Sequence, residues 1–87
     1  MRMVKIWAKV LKERKIVKSY VYENFAEMDW AEFGKYVMDI CEQLDIPTPV
    51  VIKTHIFNYA KFRNVKFKAD DFVESIEFDT LVLENQI

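Results

Sequence analysis

The sequence predicts an α+β fold: a mostly antiparallel sheet with one main helix packed on one face, in the order β-β-α-β-α-β-β. Three observations carry this. Apolar residues recur with period two near both ends of the chain. One stretch in the middle carries apolar residues at helical spacing. Two prolines directly after that stretch end it. Eighty-seven residues make one domain, 1–87, whose core is thin because a chain this short buries only about 60–65% of its unfolded surface. With 52% apolar and 15% aromatic residues, that core closes without crosslinks, its bulk supplied by rings.

Residues 3–12, MVKIWAKVLK, place Val4, Ile6, Ala8 and Val10 on one face and Lys5, Trp7, Lys9 and Leu11 on the other. This period, with β-branched residues, reads as a strand. After KERK comes IVKSYVYE, again β-rich, so a hairpin with its turn at Lys12–Lys15 is expected. No Gly or Asn is present to supply positive φ, which favours a longer turn over the tightest two-residue type. The competing reading of this segment is a helix through Ile6, Val10 and Val17.

Residues 29–44, DWAEFGKYVMDICEQL, form the clearest element. Asp29 and Glu32 stand at capping-box spacing. Trp30, Phe33, Val37, Ile40, Cys41 and Leu44 make one stripe. Pro47 and Pro49 then stop the helix. VVIK reads as a short strand or as an extended lead-in. Thr54 is the expected cap of a short helix over 55–63, with Ile56, Tyr59, Ala60 and Arg63 on one face. VKFK alternates as a strand. ESIEFDTLVLE reads as the last strand, but Ile76 and Phe78 are out of phase with Leu81 and Leu83, so a bulge or bend near Asp79–Thr80 is expected. The expected core is Ile6, Val10, Val21, Phe33, Val37, Ile40, Leu44, Val51, Phe67, Ile76 and Phe78.

The net charge is −1, but charge is segregated. Residues 1–22 carry seven bases and one acid, 23–45 one base and seven acids, 46–68 five bases and no acid, and 69–87 six acids and no base. Blocks of alternating sign mark binding surfaces or neighbours that neutralise one another in the fold. The second is expected here, with an acidic strand beside a basic one.

Four features carry candidate chemistry. His55 is the only histidine and Cys41 the only cysteine. Zinc needs three or four ligands, and no HxxxH or CxxC pattern exists. Cys41 lies on the apolar stripe, where a thiol is a small inert group. His55 is therefore expected to be packed, with one nitrogen satisfied by backbone. Next, Lys53, Lys61, Arg63, Lys66 and Lys68 interleave with Phe57, Tyr59, Phe62 and Phe67. These are the ingredients of single-stranded nucleic-acid binding, against which the alternation at 65–68 turns rings inward and lysines outward. Third, the acids from Asp70 to Glu84 surround no Gly, as a calcium loop would require. Last, Trp7, with Tyr20 and Tyr22, is left over once the inward face of the hairpin is assigned. An aromatic on the outer face of a sheet is covered by another element or another chain.

With one Gly there is no glycine-rich phosphate loop, and no nucleophile elbow or dinucleotide fingerprint appears. No pattern implies a cofactor or a metal. A single Cys permits no intramolecular disulfide, which fits a reducing cytoplasm. The charged N-terminal stretch has no signal-peptide character, and no run approaches the ~20 apolar residues of a membrane span.

The stretch LDIPTPVVIKTHIFNYAKF, with VKF and DDFVESIEFDTLVLE after it, resembles a family of small uncharacterised proteins from Gram-positive, clostridia-like bacteria. The resemblance covers nearly the whole chain and is strongest from Leu44 to Glu84. It implies a bacterial, cytoplasmic setting and a self-contained domain, and brings no activity, cofactor or site residue with it.

The leading expectation is a non-enzymatic module that self-associates as a homodimer or docks on another protein. Its candidate surface comprises Trp7, Tyr22, Lys53, His55, Lys61, Arg63, Lys66 and Lys68. The first alternative is weak single-stranded nucleic-acid binding through 53–68. The second is an enzyme using His55.

Overall fold

A computed structural model describes residues 3–87. Strands β1 (Val4–Lys12) and β2 (Lys15–Asn24) form the N-terminal hairpin. A short 3-10 turn (Trp30–Glu32) leads into helix α1 (Phe33–Leu44), and helix α2 (Lys53–Phe62) follows. Strands β3 (Asn64–Lys68) and β4 (Thr80–Asn85) complete one four-stranded sheet. Its order is β2-β1-β4-β3, with all pairings antiparallel. The core lies under the two helices, on one face of this sheet. The hairpin reading of residues 4–24 holds, and the helical alternative for it is excluded.

The hairpin turn corrects the expectation. Lys12 pairs with Lys15, so the loop is Glu13–Arg14 alone, and both residues take positive φ (52° and 68°). Left-handed backbone costs a non-glycine residue roughly 1–2 kcal/mol. Two bonds from outside the hairpin hold it there. Glu13 N donates to Asp79 Oδ2 (2.8 Å), and Asp79 N donates to the Leu11 carbonyl (2.8 Å). A bulge follows at Val17, which has no partner between the pairs Val10–Lys18 and Leu11–Ile16.

α1 begins one turn later than its sequence pattern. Asp29 does cap, its Oδ1 accepting from Ala31 N (3.0 Å), but it caps the 3-10 turn. The inward stripe is Phe33, Tyr36, Val37, Ile40, Cys41 and Leu44. Trp30 stays partly exposed at the helix start, its ring 6.0 Å from that of Phe33 and 6.2 Å from that of Tyr59. At the other end Asp45 takes φ 56° and closes the helix. Lys18 Nζ bonds the Leu44 carbonyl (2.9 Å), a cation at the negative end of the helix dipole.

Residues 46–52 are the extended lead-in, not a strand of the sheet, and in their middle Val50 N donates to the Asp71 carbonyl (2.8 Å). α2 starts two residues earlier than expected, at Lys53, and turns His55 and Tyr59 inward. Ala60 and Arg63, expected on that face, are exposed. The final strand is short. Residues 72–79 form a loop that lays Phe72 and, in part, Ile76 and Phe78 against the core. The change of phase near Asp79–Thr80 is the place where this loop ends and β4 begins.

Most of the expected core is buried, with Val51, Ile76 and Phe78 only partly covered. Val21 is the error: it is 44% exposed on the outer face of β2. Leu81 and Leu83 join the core beyond the residues named for it, as do Tyr59 and Val65, in line with the inward turn expected for the rings of 53–68 and for alternate residues of VKFK. β4 is a central strand, so even its outward Val82 is buried, between Lys9 and Lys66 in register. The stems of such lysines cover apolar surface while their ammonium groups stay wet.

Candidate interaction surfaces

The candidate residues do not form one surface. His55 is buried, and its ring stands 4.5 Å from that of Phe67. Its Nδ1 accepts from Ile52 N (3.1 Å), which fixes the proton of the neutral ring on Nε2. Nε2 faces Asp71 Oδ1 at 3.3 Å, and Asp71 Oδ2 accepts from Lys68 N (2.9 Å). One histidine and one carboxylate thus tie together the start of α2, the end of β3 and the loop after it. An acid does stand within reach of the histidine, as an enzyme would need. Both ring nitrogens and both carboxylate oxygens are already engaged in this clasp.

Cys41 is fully buried. Burial pushes its thiol up to about 11, partly offset by a hydrogen bond with Thr48. A thiol held in that state is a poor nucleophile. Burial also pushes the Tyr59 hydroxyl well above its usual range, and its Oη has no hydrogen-bond partner. Among the described residues no group of three or more His, Cys, Asp or Glu is placed to hold a metal ion. No helix among them is long and apolar enough to cross a membrane.

Among the described residues the outer face of the sheet carries no helix. Trp7 lies there, as expected, with Lys9 Nζ 4.4 Å from its ring centroid and also 3.2 Å from Glu84 Oε2. In register Trp7 stands beside Val21 on β2, and Leu11 beside Ile16. Tyr22 is not part of this face. It points to the helix side, its ring 5.7 Å from that of Tyr36, and burial raises its hydroxyl pKa.

Lys66 and Lys68 also point outward, while Val65 and Phe67 point into the core. The expected acidic strand beside them is absent. Their partners on β4 are Val82 and Thr80, because the acids between Asp70 and Asp79 lie in the excursion before that strand. Among the described residues Lys9–Glu84 is the cross-strand ion pair between basic and acidic blocks that closes to 3.2 Å, and Lys5 stands opposite Glu23 in register. Lys53, Lys61 and Arg63 lie on or after α2, with Lys61 Nζ 5.6 Å from the Phe57 ring and 5.4 Å from the Phe62 ring. Phe57 and Phe62 are 60% and 58% exposed, against the expectation that the rings of this segment face inward.

Among the described residues neither edge strand, β2 or β3, pairs with a further strand. Gln86 N donates to the Lys5 carbonyl, so the odd residues of β1 bond β4 and its even residues bond β2. The regular part of β2 therefore turns the N–H and C=O groups of Ser19, Val21 and Glu23 to the free edge. The signal for this site lay in the sequence. IVKSYVY is apolar on both faces, a pattern that belongs to a strand covered on both sides.

Two of the concave regions of the surface border these elements. One, of about 480 Å³, lies between the hairpin tip, Asp45–Pro47 and Ser75–Phe78. The other, of about 470 Å³, runs along β3 beside Phe62. No family model, no curated protein and no solved structure matches this chain.

Proposed function

We propose that this chain is a protein-binding module that self-associates through β2, joining two sheets into one across a two-fold axis. The observation that carries this is the free edge of β2, ten residues long, with Ile16, Val17 and Val21 exposed at 53%, 52% and 44%. Large apolar side chains on an unpaired edge are a template for another strand.

The edge is self-complementary about Val21. With the axis on that residue, Val21 meets its own copy and Ser19 faces Glu23 of the second chain. On the helix side Tyr20 faces Tyr22. All of these lie clear of the bulge at Val17, which would interrupt any longer register. The outward Ser19, Val21 and Glu23 would supply about six main-chain hydrogen bonds. Trp7, beside Val21 in register, would extend the apolar strip on each side of the axis.

Sedimentation equilibrium tests this. The expected result is a concentration-dependent dimer that Val21→Lys converts to a monomer with an unchanged circular dichroism spectrum. The substitution is tolerated in the monomer because Val21 is exposed, but it sets two ammonium groups face to face on the axis. A wild-type chain that stays monomeric at every concentration reached would end the proposal.

A further inference from the structure

We infer that the surface formed by α2 and the free edge of β3 binds single-stranded nucleic acid. It lies on the opposite edge of the sheet from β2 and stands independently of self-association. α2 buries His55 and Tyr59, so Phe57 and Lys61, one turn apart, point outward. Arg63 then takes φ 64° and turns the chain sharply into β3. That turn sets Phe62 against the edge strand, at the wall of a groove lined by Asn58, Phe62, Asn64, Val65, Lys66 and Lys68.

Four properties of this groove point to one ligand chemistry. Its lining has two bases and no acid, and no acid occurs anywhere between residues 46 and 68. Lys66 and Lys68 have no carboxylate opposite them on β4, so their charge is available to phosphate. The Phe62 ring is exposed beside them, with Phe57 reached through Lys61. Two asparagine amides line the same groove: Asn58, and Asn64, whose Nδ2 donates to the Phe62 carbonyl (3.0 Å) and leaves its Oδ1 to accept. A ring to stack on, amides for base edges and lysines for the backbone are what a single strand requires. An acidic peptide would use the lysines but leave the rings without a partner, so the single strand is the better fit.

Fluorescence anisotropy with a labelled twelve-nucleotide oligothymidylate tests this. With Lys61, Lys66 and Lys68 each on a phosphate, a tenfold rise in salt should weaken binding roughly 100-fold. Phe62→Ala should weaken it roughly tenfold or more, and Lys66→Glu with Lys68→Glu should abolish it. All three side chains are exposed, so the variants keep their fold, which thermal melts check. Lys15→Gln, at the far edge, should bind as wild type. Absence of binding at low salt overturns the inference. So does wild-type affinity in the Phe62→Ala chain, or displacement by an equally charged oligoglutamate as readily as by unlabelled oligonucleotide.

Discussion

The two edge strands of this sheet flank the same kind of central strand, yet they are held very differently. β3 is five residues long and alternates strictly. Val65 and Phe67 are buried at 3% and 0%, and Lys66 and Lys68 are exposed. α2, which feeds directly into it, covers its inward side, and the His55–Asp71 clasp fastens its end. β2 is twice as long, alternates only from Ser19 to Asn24, and has no fully buried residue. Tyr20 and Tyr22 are only partly covered, and Ile16, Val17 and Val21 face solvent. The comparison teaches that β3 is stabilised by its own chain, whereas β2 carries more apolar surface than its own chain covers. That excess is the physical basis of the self-association proposed for β2.

The sharpest test of this contrast is truncation on each strand. Phe67→Ala empties a fully buried site next to His55 and should cost about 3–5 kcal/mol in denaturant unfolding. Val21→Ala, measured on dilute monomer, should stay within about 0.5 kcal/mol of wild type. Similar losses from the two would break the contrast.

A second test uses pH, and reads the covered side alone. The Cys41 thiol ionises near 9.0 in the unfolded chain and at about 11 in the folded one. Between those values the unfolded state has lost its proton and the folded state has kept it, so stability falls as pH rises. At about 1.4 kcal/mol per unit, the loss is on the order of 2–3 kcal/mol. Below pH 9 this contribution is constant. Cys41→Ala should flatten the alkaline slope, leaving the share that the buried Tyr59 hydroxyl adds in the same direction. A slope unchanged by that substitution would mean that Cys41 is less enclosed than its surroundings indicate.

The smallest expected effect lies on the open side, at the hairpin tip. Replacing Glu13–Arg14 by Asn-Gly removes two unfavourable left-handed residues. The Asp79 bond to the backbone N–H of residue 13 is kept. Thermal unfolding should show a gain of about 1 kcal/mol. A loss would show that the side chains of Glu13 and Arg14 contribute more than their backbone strain costs.

Much of this architecture was legible. The hairpin, α1, α2 and the VKFK strand each carry a local period, and period decides which side chains share a face. The tight turn was not legible, because its backbone is held from outside by Asp79, sixty-six residues away. Val21 was misassigned because β2 is apolar on both faces, and alternation alone does not say which face the helices cover. Leu81 and Leu83 were missed because the loop before β4 imitates a strand with shifted phase. Of the candidate site, the basic residues of 53–68 were visible. That Phe57 and Phe62 stay outside, that Tyr22 turns inward and that His55 meets Asp71 were not.

The sequence by itself determined the α+β class, the central helix and its proline stop, and the inward placing of alternate residues on β1 and β3. These rest on interactions a few residues apart, which local periodicity encodes. Only the tertiary structure decided that β1 and β4 are central, that β2 and β3 are the edge strands, and that Lys66 and Lys68 face Val82 and Thr80 on β4 rather than acids. Those outcomes depend on strand order, and strand order is set by the packing of segments distant in the chain.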